Sequence, residues 1–143
     1  MNIIRPPAVA GLFYPDDSHQ LQHDINSFLS AARQTGEVPK ALIAPHAGYI
    51  YSGPVAASAY INLLPARATI KKVILLGPSH RVAFSGLAAP SASEFMTPLG
   101  AIRIDQNILQ QVLSLPQVSV MDAAHAEEHS LEVHLPFLQT VLD

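Results

Sequence analysis

The segment Ala41-Leu42-Ile43-Ala44-Pro45-His46-Ala47-Gly48-Tyr49 decides the fold that we expect for this chain. A short, uninterrupted apolar run that ends in Pro, His and Gly is typical of a β-strand buried on both faces. The pattern returns in Val73-Ile74-Leu75-Leu76, which runs into Gly77-Pro78-Ser79-His80. Between these runs, Ser52-Gly53-Pro54 begins a predicted helix that continues to about Leu64, with Pro54 in its first turn. The sequence therefore predicts a strand, a helix and a second strand.

This unit places two histidines together. Parallel strands joined by a right-handed crossover end at the same edge of a sheet, and ligands of open α/β sheets bind in the crevice beyond that edge. His46 and His80 directly follow the two strands, so we expect them to share a divalent transition metal. The alternative is that each histidine is a hydrogen-bonded loop residue. The candidate pocket-lining residues are Tyr49, Tyr51, Ser52 and Ser79, although the tyrosines equally suit a role as lids on the core.

The rest of the chain predicts further helices and strands around this unit. The expected fold is α/β, an open, mostly parallel sheet flanked by helices, in one domain over residues 1–143. The last predicted helix carries Leu131, Leu135, Leu138 and Leu142, and the chain stops inside it, so we expect a truncation with an exposed apolar helix face. The other predictions are an irregular arm over 1–16, a helix from Asp17 that ends before Gly36, strands at 86–89 and 101–104 flanking the turn 97–100, a helix at 105–114 and a strand at 118–120.

Composition excludes several functional classes. The 143 residues are 49% apolar and 13% charged, which is typical of a globular domain. A net charge of −3 with scattered Lys and Arg does not suit nucleic-acid binding. No apolar run reaches the roughly 18 residues of a membrane span, and no leader pattern opens the chain, so a cytoplasmic protein is expected. Cysteine is absent and histidine occurs seven times, which directs the search for chemistry to histidine.

A second histidine motif lies near the end of the chain. His125-Ala126-Glu127-Glu128-His129 matches the H-x-x-E-H pattern of inverted zinc peptidases, provided that the two histidines share a helix face. The simpler interpretation is a capped helix start, with Glu128 and Glu132 near the positive end of the helix dipole. A third interpretation makes His129, assisted by Glu128, a proton-transfer residue beside the metal. His19 and His23 suit a solvated helix face, and His134 suits the boundary of the core.

Four segments together resemble the Memo family: residues 7–15, residues 44–53, Gly77-Pro78-Ser79-His80 and Glu128-His129-Ser130-Leu131-Glu132. The resemblance implies a fold similar to the class III extradiol ring-cleaving dioxygenases, with His46 and His80 at two metal-ligand positions. Glu128 and His129 match a family motif, whereas His125 does not belong to it. Memo proteins are about twice as long, and their carboxyl half supplies a cysteine as a third ligand. The resemblance thus implies an incomplete site here, to be completed by a missing half or another subunit.

The first functional hypothesis is a metal-binding redox or dioxygenase-like protein that acts on an unidentified small molecule. Iron(II) is the expected metal, with copper or zinc as alternatives, held by His46 and His80, while His129 and Glu128 transfer protons. The second is a binding module without turnover, because animal family members resemble adaptors that engage phosphotyrosine-containing peptides. Its pocket would hold an anionic group, with Arg81 assisting. A zinc peptidase is the third.

Overall fold

The structure, a computed structural model, describes residues 3–143 and confirms the α/β class. The first two residues of the predicted amino-terminal arm lie outside the described residues. Within 3–143, five α-helices and five short strands alternate with long irregular segments. In chain order they are β1 (Ile4–Arg5), α1 (Ser18–Ala31), α2 (Tyr49–Tyr60), a 3-10 helix (Ile61–Ala66), β2 (Leu87–Ala89), β3 (Glu94–Thr97), β4 (Gly100–Arg103), α3 (Gln106–Leu113), β5 (Val118–Val120), α4 (Ala123–Ala126), a 3-10 helix (Glu132–His134) and α5 (Leu135–Val141).

The strands of the described residues form two small sheets instead of one open sheet. One has the order β1-β3-β4, with β1 parallel to β3 and β3 antiparallel to β4. The other pairs β2 with β5 in parallel. The hairpin partner predicted for β4 was wrong, because β3 takes that place and β2 pairs elsewhere. The reason lies at Ser91, whose backbone N–H and hydroxyl both donate to the Asp122 carboxylate and turn the chain away after β2.

The two buried strands predicted at residues 41–44 and 73–76 are not strands in the structure. Both segments have no regular secondary structure, and neither belongs to a ladder among the described residues. Leu42 and Ala44 pack against the main core, and Leu75 packs against a smaller cluster around Phe95 and Leu135. Ile43 on the opposite side is fully exposed. The prediction failed because a strand buried on both faces needs a packed layer on each face. Each of these segments has a packed layer on one face only.

The main core lies between α1, α2 and α5. The Asp17 side chain accepts a hydrogen bond from the Gln20 N–H at 2.8 Å and so caps α1, as its sequence predicts. Leu21, Ile25 and Leu29 of α1 are buried against the other two helices. Gly53 of α2 permits this close approach, because a Cβ there would lie 2.5 Å from the Phe28 ring. The helical spacing in the sequence therefore identified the right buried face.

Two helix boundaries differ from those predicted. Helix α2 begins at Tyr49, three residues before Ser52, so Pro54 lies inside the helix instead of its first turn. The earlier start is set by tertiary contact, since the Tyr49 N–H donates to the Phe13 carbonyl at 2.7 Å. At the other end of the chain, a 3-10 turn precedes α5, and Pro136 lies in the first turn of α5.

The apolar face of the final helix is not exposed, contrary to expectation. Phe137 and Val141 of α5 are buried, because α1 and α2 cover them. Phe137 stacks on the Tyr60 ring with centroids 5.2 Å apart. Exposed apolar side chains occur elsewhere in the described residues, including residues 41–44, residues 73–76 and the outer face of α2. None of the helices within 3–143 combines the length and apolar character needed to cross a bilayer.

A buried polar hub ties the amino-terminal arm to the last third of the chain. The Glu132 carboxylate is fully buried and forms an ion pair with Arg5. It also accepts hydrogen bonds from the Ala8 N–H (2.8 Å), the Val9 N–H (3.0 Å) and the Tyr14 hydroxyl (2.6 Å). Burial, followed by the hydrogen bond to Glu132, raises the pKa of Tyr14 well above its usual value. Tyr14 is therefore a neutral donor at physiological pH.

Arg5 extends the hub to the segment that carries the second histidine motif. Its guanidinium donates twice to the His125 carbonyl, at 3.0 and 2.8 Å, and once to the Glu128 carbonyl at 2.8 Å. The same group lies over the Phe95 ring, 5.1 Å from its centroid. Each nitrogen of this buried guanidinium thus donates at least one hydrogen bond, and its plane contacts an aromatic ring, as a buried charge requires.

We expect Glu132→Gln to destabilise the fold strongly. The amide keeps the shape of the side chain but leaves Arg5 buried without its counter-charge, which costs about 3–5 kcal/mol. Urea denaturation followed by circular dichroism measures the loss. The exposed neighbour Glu127→Gln is the control and should change the free energy of unfolding by less than about 0.5 kcal/mol. Equal effects of the two substitutions would contradict the role of the hub.

We also expect acid to destabilise the fold through His134. Burial, and then the nearby His46, lowers the pKa of His134 from 6.5 to about 4. The unfolded chain therefore binds this proton first, and stability falls as the pH drops from 6.5 to about 4, by at most about 3 kcal/mol. Chemical denaturation at a series of pH values should show a shallower decline for His134→Gln than for the native chain. Identical slopes would exclude His134 as the cause.

Candidate metal centre

Three histidine rings meet at the ends of three loops. The ring centroids of His46 and His80 lie 5.3 Å apart, those of His46 and His129 5.8 Å, and those of His80 and His129 4.4 Å. One ring nitrogen from each residue lies within 4.8 Å of the other two. The sequence predicted that His46 and His80 would come together, and the structure brings His129 to the same place. We call these three residues the histidine cluster.

The loop that carries His46 is held by its neighbours at the start of α2. The Ser52 hydroxyl donates to the Ala47 carbonyl at 2.8 Å and closes the turn after His46. Gly48 lies against the Phe13 backbone, where a Cβ would be 3.5 Å from the Phe13 carbonyl oxygen. The amino-terminal arm therefore packs against the loop that carries His46. The His46 side chain itself is half-buried.

Glu128 fixes the loop that carries His80. Its carboxylate accepts a hydrogen bond from the His80 backbone N–H at 2.6 Å and lies 2.9 Å from the His80 Nδ1. The same loop is anchored by the Ser130 hydroxyl, which donates to the Pro78 carbonyl at 2.6 Å. A Cβ on Gly77 would lie 2.9 Å from the Leu131 side chain, so glycine is needed for this close packing. The loop that carries His80 thus packs directly against residues 128–131.

The Glu128 carboxylate also receives the backbone N–H groups of His129 and Ser130, each at 2.9 Å. Burial alone would raise the pKa of Glu128, but the hydrogen bonds from the His80 backbone and side chain and from Ser130 outweigh it. The result is a pKa of about 2. A carboxylate held in this way stays ionised near neutral pH and orients its partners.

His129 completes the cluster from the opposite side. Its ring stacks on that of His80 and lies 4.5 Å from the Phe13 ring, centroid to centroid. Burial lowers the pKa of His129, the charge of Glu128 opposes this shift, and the proximity of His80, His46 and Arg81 adds to it. The ring is therefore neutral at physiological pH. A neutral imidazole can offer a lone pair to a metal or accept a proton.

The structure does not support the interpretation of residues 125–129 as an H-x-x-E-H zinc site. Helix α4 ends at Ala126, so His125 and His129 do not lie on one helical face. His125 is buried away from the cluster, with its Nε2 3.1 Å from the Ala88 carbonyl oxygen and its ring against Phe95. Burial lowers its pKa. The segment turns after Ala126 because Arg5 binds the carbonyls of His125 and Glu128.

The predicted pocket-lining residues have separate positions. Tyr49 is buried in the core, where its hydroxyl donates to the Val133 carbonyl at 2.7 Å, so it acts as a lid on the core. Tyr51 points to solvent, and Ser52 shapes the His46 loop. The Ser79 hydroxyl donates to the Val82 carbonyl at 2.7 Å and lines a cavity of about 360 Å³. This cavity lies behind the His80 loop and is also lined by Glu128, Leu75 and Leu76.

Sequence reasoning missed the residues that support the cluster. Arg5 and Glu132 hold the segment that carries His129, yet nothing in their local sequence marks them as partners 127 positions apart. Phe13 was assigned only to the irregular arm, although it contacts His129. His19 and His23 are exposed on α1, as predicted. His134 is buried, and its Nδ1 has no hydrogen-bond partner among residues 3–143.

The cluster fits a transition metal by the chemistry of its donors. Three imidazole nitrogens can hold a single ion, which suits iron, copper or zinc and leaves coordination positions open. In a tetrahedral site with metal–nitrogen bonds of about 2.1 Å, the ligand nitrogens lie roughly 3.4 Å apart. The ring nitrogens of the cluster lie within 4.8 Å of one another, so they would have to move closer together to hold an ion in that geometry. The backing of His80 by Glu128 is the carboxylate–histidine arrangement found behind metal ligands.

Comparison with known proteins identifies the family. The profile of the family described as Memo-like protein matches residues 5–143. A MEMO1 family protein of Ignicoccus hospitalis is 40% identical over 148 residues, covering 96% of this chain and 52% of the relative. The one from Aquifex aeolicus is 39% identical over 137 residues, covering 95% and 49%. A third, from Saccharolobus islandicus, is 42% identical over 151 residues, covering 97% and 53%.

The chain thus spans about half the length of the curated relatives that it matches. Within that half, the match includes all three loops of the histidine cluster and the hub residues Arg5 and Glu132. A match over nearly the whole chain, at about 40% identity, is sufficient to assign it. This protein belongs to the Memo family.

Proposed function

We propose that this protein binds a divalent transition metal at the histidine cluster and supports redox, dioxygenase-like chemistry on a small molecule. The observation that carries the proposal is the convergence of three imidazoles, two of them predicted from the sequence, on one point. His46 and His80 are the first two ligands. When bound, the metal would supply open coordination positions and a redox couple. Iron(II) is our first choice, from the resemblance to extradiol dioxygenases, with copper or zinc as alternatives.

Glu128 has a positioning role in this proposal. Because its carboxylate accepts the Nδ1–H of His80, the proton of that ring lies on Nδ1 and the lone pair on Nε2. The carboxylate thereby fixes both the tautomer and the direction of the ligand, which raises ligand basicity. This replaces the proton-transfer role that the sequence suggested for Glu128.

His129 has two candidate roles, and we assign it to the metal. Its ring nitrogen lies within the same 4.8 Å as those of His46 and His80, which supports a third ligand from within this chain. The proton-transfer role predicted from the sequence is the second candidate, because the ring is neutral and partly buried. The metal affinity of the His129→Ala variant distinguishes the two roles. Loss of a ligand lowers the affinity, whereas loss of a proton-transfer residue leaves it unchanged.

A metal-free binding pocket is the alternative function. Arg81 directly follows His80, and its charge acts on His129, so a positive field from Arg81 reaches the cluster. Such a field suits a phosphate or another anionic group, including a phosphotyrosine side chain of a peptide. Titration of the metal-free protein with phenyl phosphate tests this alternative. A cytoplasmic location remains part of either proposal.

We expect the native chain, reconstituted anaerobically with iron(II), to hold about one iron per chain by elemental analysis. His46→Ala and His80→Ala should each weaken binding by more than 10-fold, because each removes a ligand of a site with few others. His129→Ala should do the same if it is the third ligand. The control is His19→Ala, which changes an exposed histidine of α1 and should bind as the native chain does. Equal metal content in all variants would contradict the proposal.

We expect Glu128→Gln to lower metal affinity by about 10–100-fold without removing a ligand. An amide cannot stabilise the Nδ1–H tautomer of His80 as a carboxylate does. Competition with a chromophoric chelator measures the affinity, and ¹⁵N chemical shifts of the His80 ring report its tautomer. A tautomer shift without loss of affinity would leave Glu128 outside the metal site. Circular dichroism confirms that the variant is folded.

A further inference from the structure

Residues 41–44 and 73–76 form an unpaired apolar surface, which we call the unpaired segments. Ile43 is 100% exposed, Ile74 75% and Leu76 70%. Large aliphatic side chains at such exposure on two short segments outside any helix or ladder mark an interaction surface. Leu42, Ala44 and Leu75 of the same segments pack on the body of the protein. Each segment is therefore apolar on both faces and covered on one.

The backbone of the unpaired segments is also unsatisfied. Within residues 3–143, no backbone hydrogen bond joins residues 41–44 or 73–76 to another segment. An extended segment with free N–H and C=O groups is a template for pairing with another strand. Free backbone groups and exposed aliphatic side chains thus occur on the same residues, and a docked β-strand would satisfy both.

The unpaired segments lead into the histidine cluster. Residues 41–44 run into the loop of His46, and residues 73–76 run into the loop of His80. Leu75 and Leu76 also line the cavity of about 360 Å³ behind the His80 loop. A polypeptide docked here would therefore lie against two of the three loops that carry the cluster.

We propose that the unpaired segments dock a polypeptide equivalent to the half of its relatives that this chain does not match. The matched region is 52%, 49% and 53% of three relatives, so each has a second half of similar length in the same molecule. The occupant supplies at least one β-strand to the free edges and an apolar layer over Ile43, Ile74 and Leu76. This surface exists whether or not the cluster binds a metal.

The test uses the part of the Aquifex aeolicus relative that lies outside its match with this chain. We expect a 1:1 complex by size exclusion with light scattering, or an equally ordered product when the two are joined in one chain. Hydrogen exchange of residues 41–44 and 73–76 should slow by at least about 10-fold, because those amides become paired.

The matched variants are Ile43→Lys with Ile74→Lys, and Leu115→Lys as the control. All three side chains are exposed, so the substitutions leave the fold of the free chain intact. The double variant should weaken association by more than 10-fold, and the control should not. A homodimer of this chain that protects the same segments would overturn the proposal in favour of a second copy. Unchanged exchange of these segments in the joined chain would overturn it altogether.

Discussion

The buried ion pair between Arg5 and Glu132 is the constraint on which the rest of the structure depends. A carboxylate without any solvent contact is tolerated because Arg5, two backbone N–H groups and the Tyr14 hydroxyl all donate to it. Removing any one of these donors leaves the buried charge less compensated, and desolvation of a charge is costly. The arm and the last third of the chain are therefore held together by polar geometry as well as by apolar contact.

The hub reaches the candidate site through two short paths. Arg5 binds the carbonyl of Glu128, whose side chain then holds the His80 loop and the start of the segment with His129. The arm that Glu132 anchors also carries Phe13, which contacts the His129 ring and accepts a hydrogen bond from Tyr49 at the start of α2. One buried cation thus influences all three loops of the cluster. These contacts position the three histidine loops in the absence of a ligand. Such positioning is the condition for a preorganised site.

Glu128 and Glu132 have different roles because their hydrogen-bond partners differ. Glu132 serves the fold, since its partners come from the amino-terminal arm. Glu128, four residues earlier, serves the site, since its partners are the ring and backbone of His80 and the N–H groups that follow it. Both remain out of contact with bulk solvent. Neither task is visible from their shared motif with His129.

The sequence by itself determined the α/β class, the buried face of α1 and the convergence of His46 with His80. These follow from local periodicity and from the loops after apolar runs, which depend on residues close together in the chain. Tertiary structure alone decided that β2 pairs with β5, which of the three interpretations of His129 its position fits, and that His125 lies away from the cluster. It also decided that the two apolar runs stay unpaired. Those outcomes depend on partners far away in the chain, such as Arg5 with the His125 carbonyl, and on whether a neighbouring layer is present to bury a strand. Neither the distant partners nor the presence of a neighbouring layer can be read from the local sequence.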